Sequence, residues 1–273
     1  MKKIIFAVIA TVFIMSACKK TTDVPGNGNL VVKFTDDPFN ISYVESATVT
    51  ITKIEVRKTG QDDGNPFIIV SDDPITLDLM ELRNGITEDL PAIDLPAGSY
   101  DLIRLYVESA GLKIKDQPGE YNVKVPSGQQ TGIKVFITPA LHVEGGLTSE
   151  LLLDFDLAKS FVMRGNLDHS AGVNGFIFKP CIRATNNSTA GRIEGLVTDT
   201  LKVKIKEAKL WVEKDTVMAT AYADTLGHYA FIGIPAGTYS VFATKAGYDT
   251  VSFNNVKVFE ANRTVLNFIL PKK

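Results

Sequence analysis

"LPAGSYDLIRLYV" runs from Leu95 to Val107, and "IPAGTYSVFATKA" from Ile234 to Ala246. In both, Pro holds φ near about −65° and cannot continue a β-ladder. Gly, two residues on, supplies the conformation that a tight turn demands. Tyr100 and Tyr239 each open an alternating strand, with a hydroxyl free to reach back to the main chain, as in the tyrosine corner of β-sandwiches. The two phrases are one turn-into-strand device, used once in each of two β domains. Their flanks do not align, so the repeat carries no claim of shared ancestry.

Period-2 alternation dominates outward from these phrases. "LVVKF", "ATVTITKIEV" and "GIKVFI" before residue 186 are short runs rich in β-branched and aromatic residues, bounded by turn residues; "RIEGLVTD", "KLWVEK", "MATAYAD", "YAFIGI", "VKVFE" and "TVLNFIL" follow it. The expected fold is all-β: two β-sandwich domains in tandem, with at most short helical turns in the first. Helical stretches are expected at Leu77–Gly85 ("LDLMELRNG"), with Gly85 as the stop, and at Leu157–Met163. The polar break "NNSTAG" (Asn186–Gly191) sets the domain boundary near residue 190.

The chain has 273 residues and a formal net charge of −2, with no run of basic residues, so no nucleic-acid surface is expected. Lys2 and Lys3 precede an uncharged apolar run, Ile4–Ala17, too short for the about 20 residues of a bilayer span. Residues 1–17 read as a signal peptide and 18–29 as a flexible tether; 30–187 and 190–273 are the two domains. "MSAC" (Met15–Cys18) resembles the bacterial lipobox, in which the Cys is acylated and becomes the new N-terminus. Lys19 after it, by resemblance to Gram-negative lipoproteins, implies a lipid-anchored protein of the outer membrane, periplasmic or surface-exposed. Cys181 then has no second cysteine to pair with, which excludes a disulfide framework; among apolar strand residues it is expected to be a small buried hydrophobe.

Two families are resembled in order along the chain. "KFTDDP", "VTITKIEV", "LDLMELRNG", "LPAGSYDLIRLYV", "LLLDFDLAKSFVMRG" and "FIFKPCIRA" are similar to the DUF4382 family, which implies an exported domain without an assigned activity. "GRIEGLVTD", "AKLWVE", "TLGHYAFIGIPAGTYSVFATKAGY" and "VLNFIL" resemble carboxypeptidase regulatory-like domains. That second resemblance implies a non-catalytic, transthyretin-type sandwich related in fold to starch-binding domains.

No HExxH, G-x-S-x-G, CxxC or Walker loop is present, so neither an enzyme nor a cofactor is expected. His142, His169 and His228 stand far apart in turn-like contexts. Asp36 and Asp37 precede Pro38 in an expected turn. Asp154 and Asp156 share one face of a strand, as a partial metal site or as partners for Arg104. "PSGQQTG" (Pro126–Gly132) reads as a hairpin connection. Trp211 lies on the strand face opposite Ala208, Leu210 and Val212, where it could stack on a sugar ring or pack against the first domain. The expected role is therefore a binding module for glycan, the alternative a structural or adhesion spacer for a cell-envelope protein. Finally, each aspartate after residue 190 begins an Asp-Thr-aliphatic triplet, which resembles a periplasmic O-glycosylation acceptor at Thr200, Thr216, Thr225 and Thr250.

Overall fold

The computed structural model describes residues 26–37, 43–62, 67–123, 125, 131–165 and 173–273. The described residues are mostly strand, with one four-residue helix. The first domain comprises β1 (Asn27–Asp37), β2 (Val44–Lys58), β3 (Ile68–Ser71), β4 (Ile75–Asp78), β5 (Glu88–Asp89), β6 (Ile93–Pro96), β7 (Gly98–Ile114), β8 (Tyr121–Val123), β9 (Ile133–Val143), β10 (Thr148–Asp156), α1 (Leu157–Ser160), β11 (Phe161–Gly165), β12 (Val173–Phe178) and β13 (Ile182–Asn186). The second comprises β14 (Ala190–Asp199), β15 (Lys209–Glu213), β16 (Val217–Tyr222), β17 (His228–Pro235), β18 (Gly237–Thr244), β19 (Val251–Val258), β20 (Arg263–Val265) and β21 (Phe268–Leu270).

Eleven strands of the first domain form one sheet in the order β3-β2-β7-β9-β13-β10-β1-β5, with β4 on β2, β6 on β1 and β8 on β7. The two halves share β9. It runs antiparallel to β7 and meets β13 in parallel at Ile137↔Ala184. Folded over in this way, the sheet encloses one core, with Leu30, Val32 and Phe34 of β1 in the same cluster as Ile103, Leu105 and Val107 of β7. Burying each such side chain stabilises the fold by about 1.5–3 kcal/mol.

The second domain is a sandwich of β17-β14-β20, with β21 on β14, against β16-β15-β18-β19. Its core holds Ile193, Val197, Leu210, Val212, Phe231, Val241 and Phe268.

The repeated phrase is one device in both domains. Tyr100 is fully buried and donates its hydroxyl to the Pro96 carbonyl at 2.6 Å; Tyr239 does the same to Pro235 at 2.7 Å. The glycines serve different ends. Gly98 has φ +148°, whereas a Cβ on Gly237 would stand 3.2 Å from the Tyr239 hydroxyl.

Three local expectations are corrected. Residues 77–85 are not a helix: β4 ends at Asp78 and turns follow, because Asp78 Oδ1 accepts the backbone N–H groups of both Ala47 and Met80. Helix α1 stops at Ser160, and β11 begins at Phe161. Strand β1 begins at Asn27, inside the expected tether, and carries Asp36 and Asp37 in its ladder rather than in a turn.

The polar break at 186–191 is a short turn tied to the first domain. Asn186 Oδ1 accepts from Ser188 N at 3.1 Å. Ser188 Oγ accepts from Glu150 N at 2.8 Å, and Asn187 donates its amide to Glu150 at 2.8 Å. Strand β10 shows the consequence. Leu151, Leu153 and Phe155 face the core, yet Leu152 on the opposite face is equally buried. A Cβ on Gly233 of β17 would collide with Leu152, so that face is covered by the second domain.

Candidate functional site

Three surfaces carry the chemistry that the sequence makes available. The first is the outer face of β16-β15-β18-β19. Register places Thr220, Trp211, Phe242 and Ser252 in one row across the four strands. Trp211 and Phe242 are half-buried and stacked, with ring centroids 4.9 Å apart and planes 4° apart. Lys209, Thr244, Glu213 and Ser240 occupy the neighbouring rows of that face. Alternation located Trp211 on this face, and its cross-strand partner is Phe242 rather than the first domain. A flat aromatic pair rimmed by polar groups offers apolar area with hydrogen-bonding groups beside it.

The second is the junction between the domains. Thr35, Asp154 and Arg183 form one cross-strand row on the face that meets the second domain. Arg183 donates to Asp154 Oδ2 at 2.6 Å and to the Gly233 carbonyl at 2.9 Å, so one guanidinium joins both domains. Burial pushes the Asp154 carboxyl up, and the Arg183 charge opposes that shift. Asp156 is spent at the N-terminus of α1, where it accepts from Lys159 N at 2.9 Å and meets the Lys159 ammonium at 2.6 Å. Among the described residues, no three Asp, Glu, His or Cys side chains gather around a point that could hold a metal ion. The expected partner of Arg104 is corrected: it lies 3.6 Å from Glu55 and stacks 3.5 Å from the Phe67 ring centroid.

Beside this junction runs a groove of about 520 Å³ that sequence reasoning missed. Its walls come from Asn84 of the first domain and from Glu194, Asp224, His228, Arg263 and Asn267 of the second. No motif marks it, because the turn at Asn84 and the strands β14, β17 and β20 are distant in sequence. Glu194 is bound by Arg263 at 3.1 Å and by Arg192 at 3.3 Å. Tyr229 donates its hydroxyl to Leu266 O at 2.6 Å, and burial pushes its phenol up.

The third is the set of Asp-Thr triplets. Thr200, Thr216, Thr225 and Thr250 are all exposed and all lie between strands. Two triplets have a plain conformational role. Asp199 Oδ1 accepts from Leu201 N and Val203 N, both at 2.9 Å; Asp224 Oδ1 accepts from Leu226 N and His228 N, both at 2.8 Å.

Cys181 is exposed, against expectation, because Pro180 ends the apolar run and places it in the connection between β12 and β13. His142 is exposed but stands within β9 rather than in a turn, 3.1 Å from Ser99 Oγ, and His228 is the first residue of β17. Cys18, His169 and residues 126–130 of "PSGQQTG" lie outside the described residues.

Residues 27–180 match the model of DUF4382, a domain of unknown function, and residues 192–271 match that of the carboxypeptidase regulatory-like domain. No curated protein matches the chain. Among solved structures, it is similar to the TIE protein of Bacillus anthracis at 15% identity and TM-score 0.26, over 90% of this chain and 34% of that one. It is similar to a candidate carbohydrate-binding protein of Pseudomonas aeruginosa at 18% identity and TM-score 0.21, over 30% of this chain and 91% of that one. A third is the shaft pilin SpaA of Lactobacillus rhamnosus GG, at 11% identity and TM-score 0.27, over 90% of this chain and 98% of that one. The chain thus spans about a third of the TIE protein, and at these TM-scores the likenesses carry no argument about what it does.

Proposed function

Because the chain belongs to the DUF4382 family over more than half its length, with a carboxypeptidase regulatory-like domain behind it, we propose that it is a non-catalytic spacer of the cell envelope that presents a binding surface to a protein partner. Neither family description names a reaction. In this reading Cys18 is acylated and holds the protein at the outer membrane, and the two β domains set the height of the surface above it.

The observation that supports the reading is the tied junction. A three-residue connection pinned to Glu150, and Arg183 bound to both domains, leave little freedom for one domain to swing against the other. A stiff tandem holds its outer faces at a set distance, whereas a flexible linker would not.

A second reading is carbohydrate binding, favoured by the stacked pair of Trp211 and Phe242 on an open sheet face. At least one of four exposed threonines, Thr200, Thr216, Thr225 and Thr250, is the proposed sugar acceptor of the chain itself.

The test uses the full chain in detergent on a glycan array, alongside photo-crosslinking in cells from a probe at Val265 on the groove. The spacer reading expects a single protein adduct and no retained glycan. A specific glycan signal that Trp211→Ala abolishes, without change in melting temperature, would replace it with the carbohydrate reading.

A further inference from the structure

The end of the second domain at which β14 finishes combines protruding aliphatic side chains with lysines. Strand β14 starts beside the first domain at Ala190 and finishes at Asp199, and β17 starts opposite that finish, with Leu196↔His228. Strand β21 runs alongside β14, with Thr198↔Ile269. Three segments therefore meet at this end: the loop after Asp199, the turn at 224–227 and the residues after Leu270.

Leu201 is 78% exposed, Val203 58%, Leu226 54% and Ile269 56%. Leu201 is the most exposed large apolar side chain among the described residues. These side chains are not loose. Buried Asp199 and the turn residue Asp224 accept the backbone N–H groups of Leu201, Val203 and Leu226, which ties down the backbone of both turns. The turns are neighbours, because a Cβ on Gly227 would stand 3.4 Å from Lys204 Cβ.

Lys202, Lys204, Lys206 and Lys272 are exposed around the same end. Four acids stand there: Asp199 is buried with Lys272 at 3.8 Å, Asp224 serves its own turn, Glu207 faces Lys245 at 3.4 Å, and Asp249 is exposed beside Pro271. A chain of formal charge −2 therefore carries a local basic, apolar tip.

We propose that this tip docks on an anionic lipid surface, with Leu201, Val203 and Leu226 entering the headgroup region and the surrounding lysines meeting the lipid phosphates. Apolar side chains entering the interface and lysines facing anionic headgroups reinforce one another. Each lysine near such a surface multiplies binding by roughly fivefold, and salt screens the effect. A protein partner fits the tip less well. The aliphatics stand on two turns rather than on a broad face, and neither turn carries an aromatic residue or arginine, although those residues are enriched in protein interfaces. The inference does not rest on the role proposed above: it does not use the Trp211 face, and it shares Asp224 and His228 with the groove.

The test is hydrogen exchange on the full chain mixed with phosphatidylcholine vesicles, with and without phosphatidylglycerol. The readout is local, so acylation of Cys18 does not enter it. Amides of residues 201–206 and 226–228 should exchange slower by roughly an order of magnitude with the anionic vesicles only. High salt should remove the protection. So should the triple variant Leu201→Ser, Val203→Ser, Leu226→Ser, whose melting temperature should be unchanged because all three side chains are exposed. Equal exchange on both vesicle types, or protection that survives in the triple variant, overturns the proposal. Protection by soluble polyglutamate but not by anionic vesicles would assign the tip to an acidic protein instead, and a sugar on Thr200 or Thr225 of the native protein would exclude docking.

Discussion

Replacing the two corner tyrosines by phenylalanine tests the physics of the repeated phrase with one atom at each site. Tyr100→Phe and Tyr239→Phe keep the ring in the core and delete only the hydroxyl that donates to the Pro carbonyl four residues earlier. An acceptor left without a partner in a buried setting costs about 1–3 kcal/mol. Pro96 and Pro235 are only half-buried, so water reaches part of each carbonyl, and the lower half of that range, about 1–1.5 kcal/mol, is expected. In a domain of the size of the second, each kcal/mol lowers the melting temperature by about 4–8 °C, and in one of the size of the first by about 2–4 °C. Tyr239→Phe should therefore lower melting of its domain by about 4–12 °C and Tyr100→Phe by about 2–6 °C, read by calorimetry. The alkaline limb gives an independent readout. Burial pushes the Tyr100 phenol up to about 12, against about 10 in the unfolded chain. The folded state holds the proton over that window, so this contribution is complete below about pH 10 and declines as pH rises toward 12. Tyr100→Phe should flatten that decline. Melting within about a degree of wild type for both variants, with the alkaline slope unchanged, would refute the corner argument.

The junction predicts a larger effect. Arg183→Ala leaves the Asp154 carboxylate buried without its cation and should cost about 3–5 kcal/mol at neutral pH. The deficit should narrow as the solution is acidified and Asp154 takes up a proton, and a pH-independent deficit in chemical denaturation would count against it. Cys18→Ser should move the protein from the membrane fraction to the soluble fraction, and retention of that variant in the membrane would contradict the lipid anchor. The intact mass of the native protein, compared with a variant carrying Ala at Thr200, Thr216, Thr225 and Thr250, should differ by more than the substitutions themselves. A difference equal to the substitutions would leave the triplets as turn chemistry alone.

The features legible in the sequence are those that short stretches encode by themselves. Alternation of apolar residues marks strands, Pro-Ala-Gly-x-Tyr marks a corner, and Leu210 and Val212 facing away from Trp211 fix which side of β15 is inward. All three follow from backbone geometry within a few residues. Tertiary structure alone settled what stands against each outward side chain. "LLLDFD" reads as a strand in either case, but only the second domain packing over β10 buries Leu152 and supplies Asp154 with its bridge through Arg183 to Gly233. Arg104 meets Glu55 because β7 pairs with β2, a pairing no local pattern specifies. Cys181 is exposed because the chain leaves the sheet at Pro180, and Trp211 finds Phe242 through a strand register set across the sheet. Long-range pairing and the docking of one domain on another depend on surfaces built from distant segments, so the groove and the basic tip became visible only once those segments lay side by side.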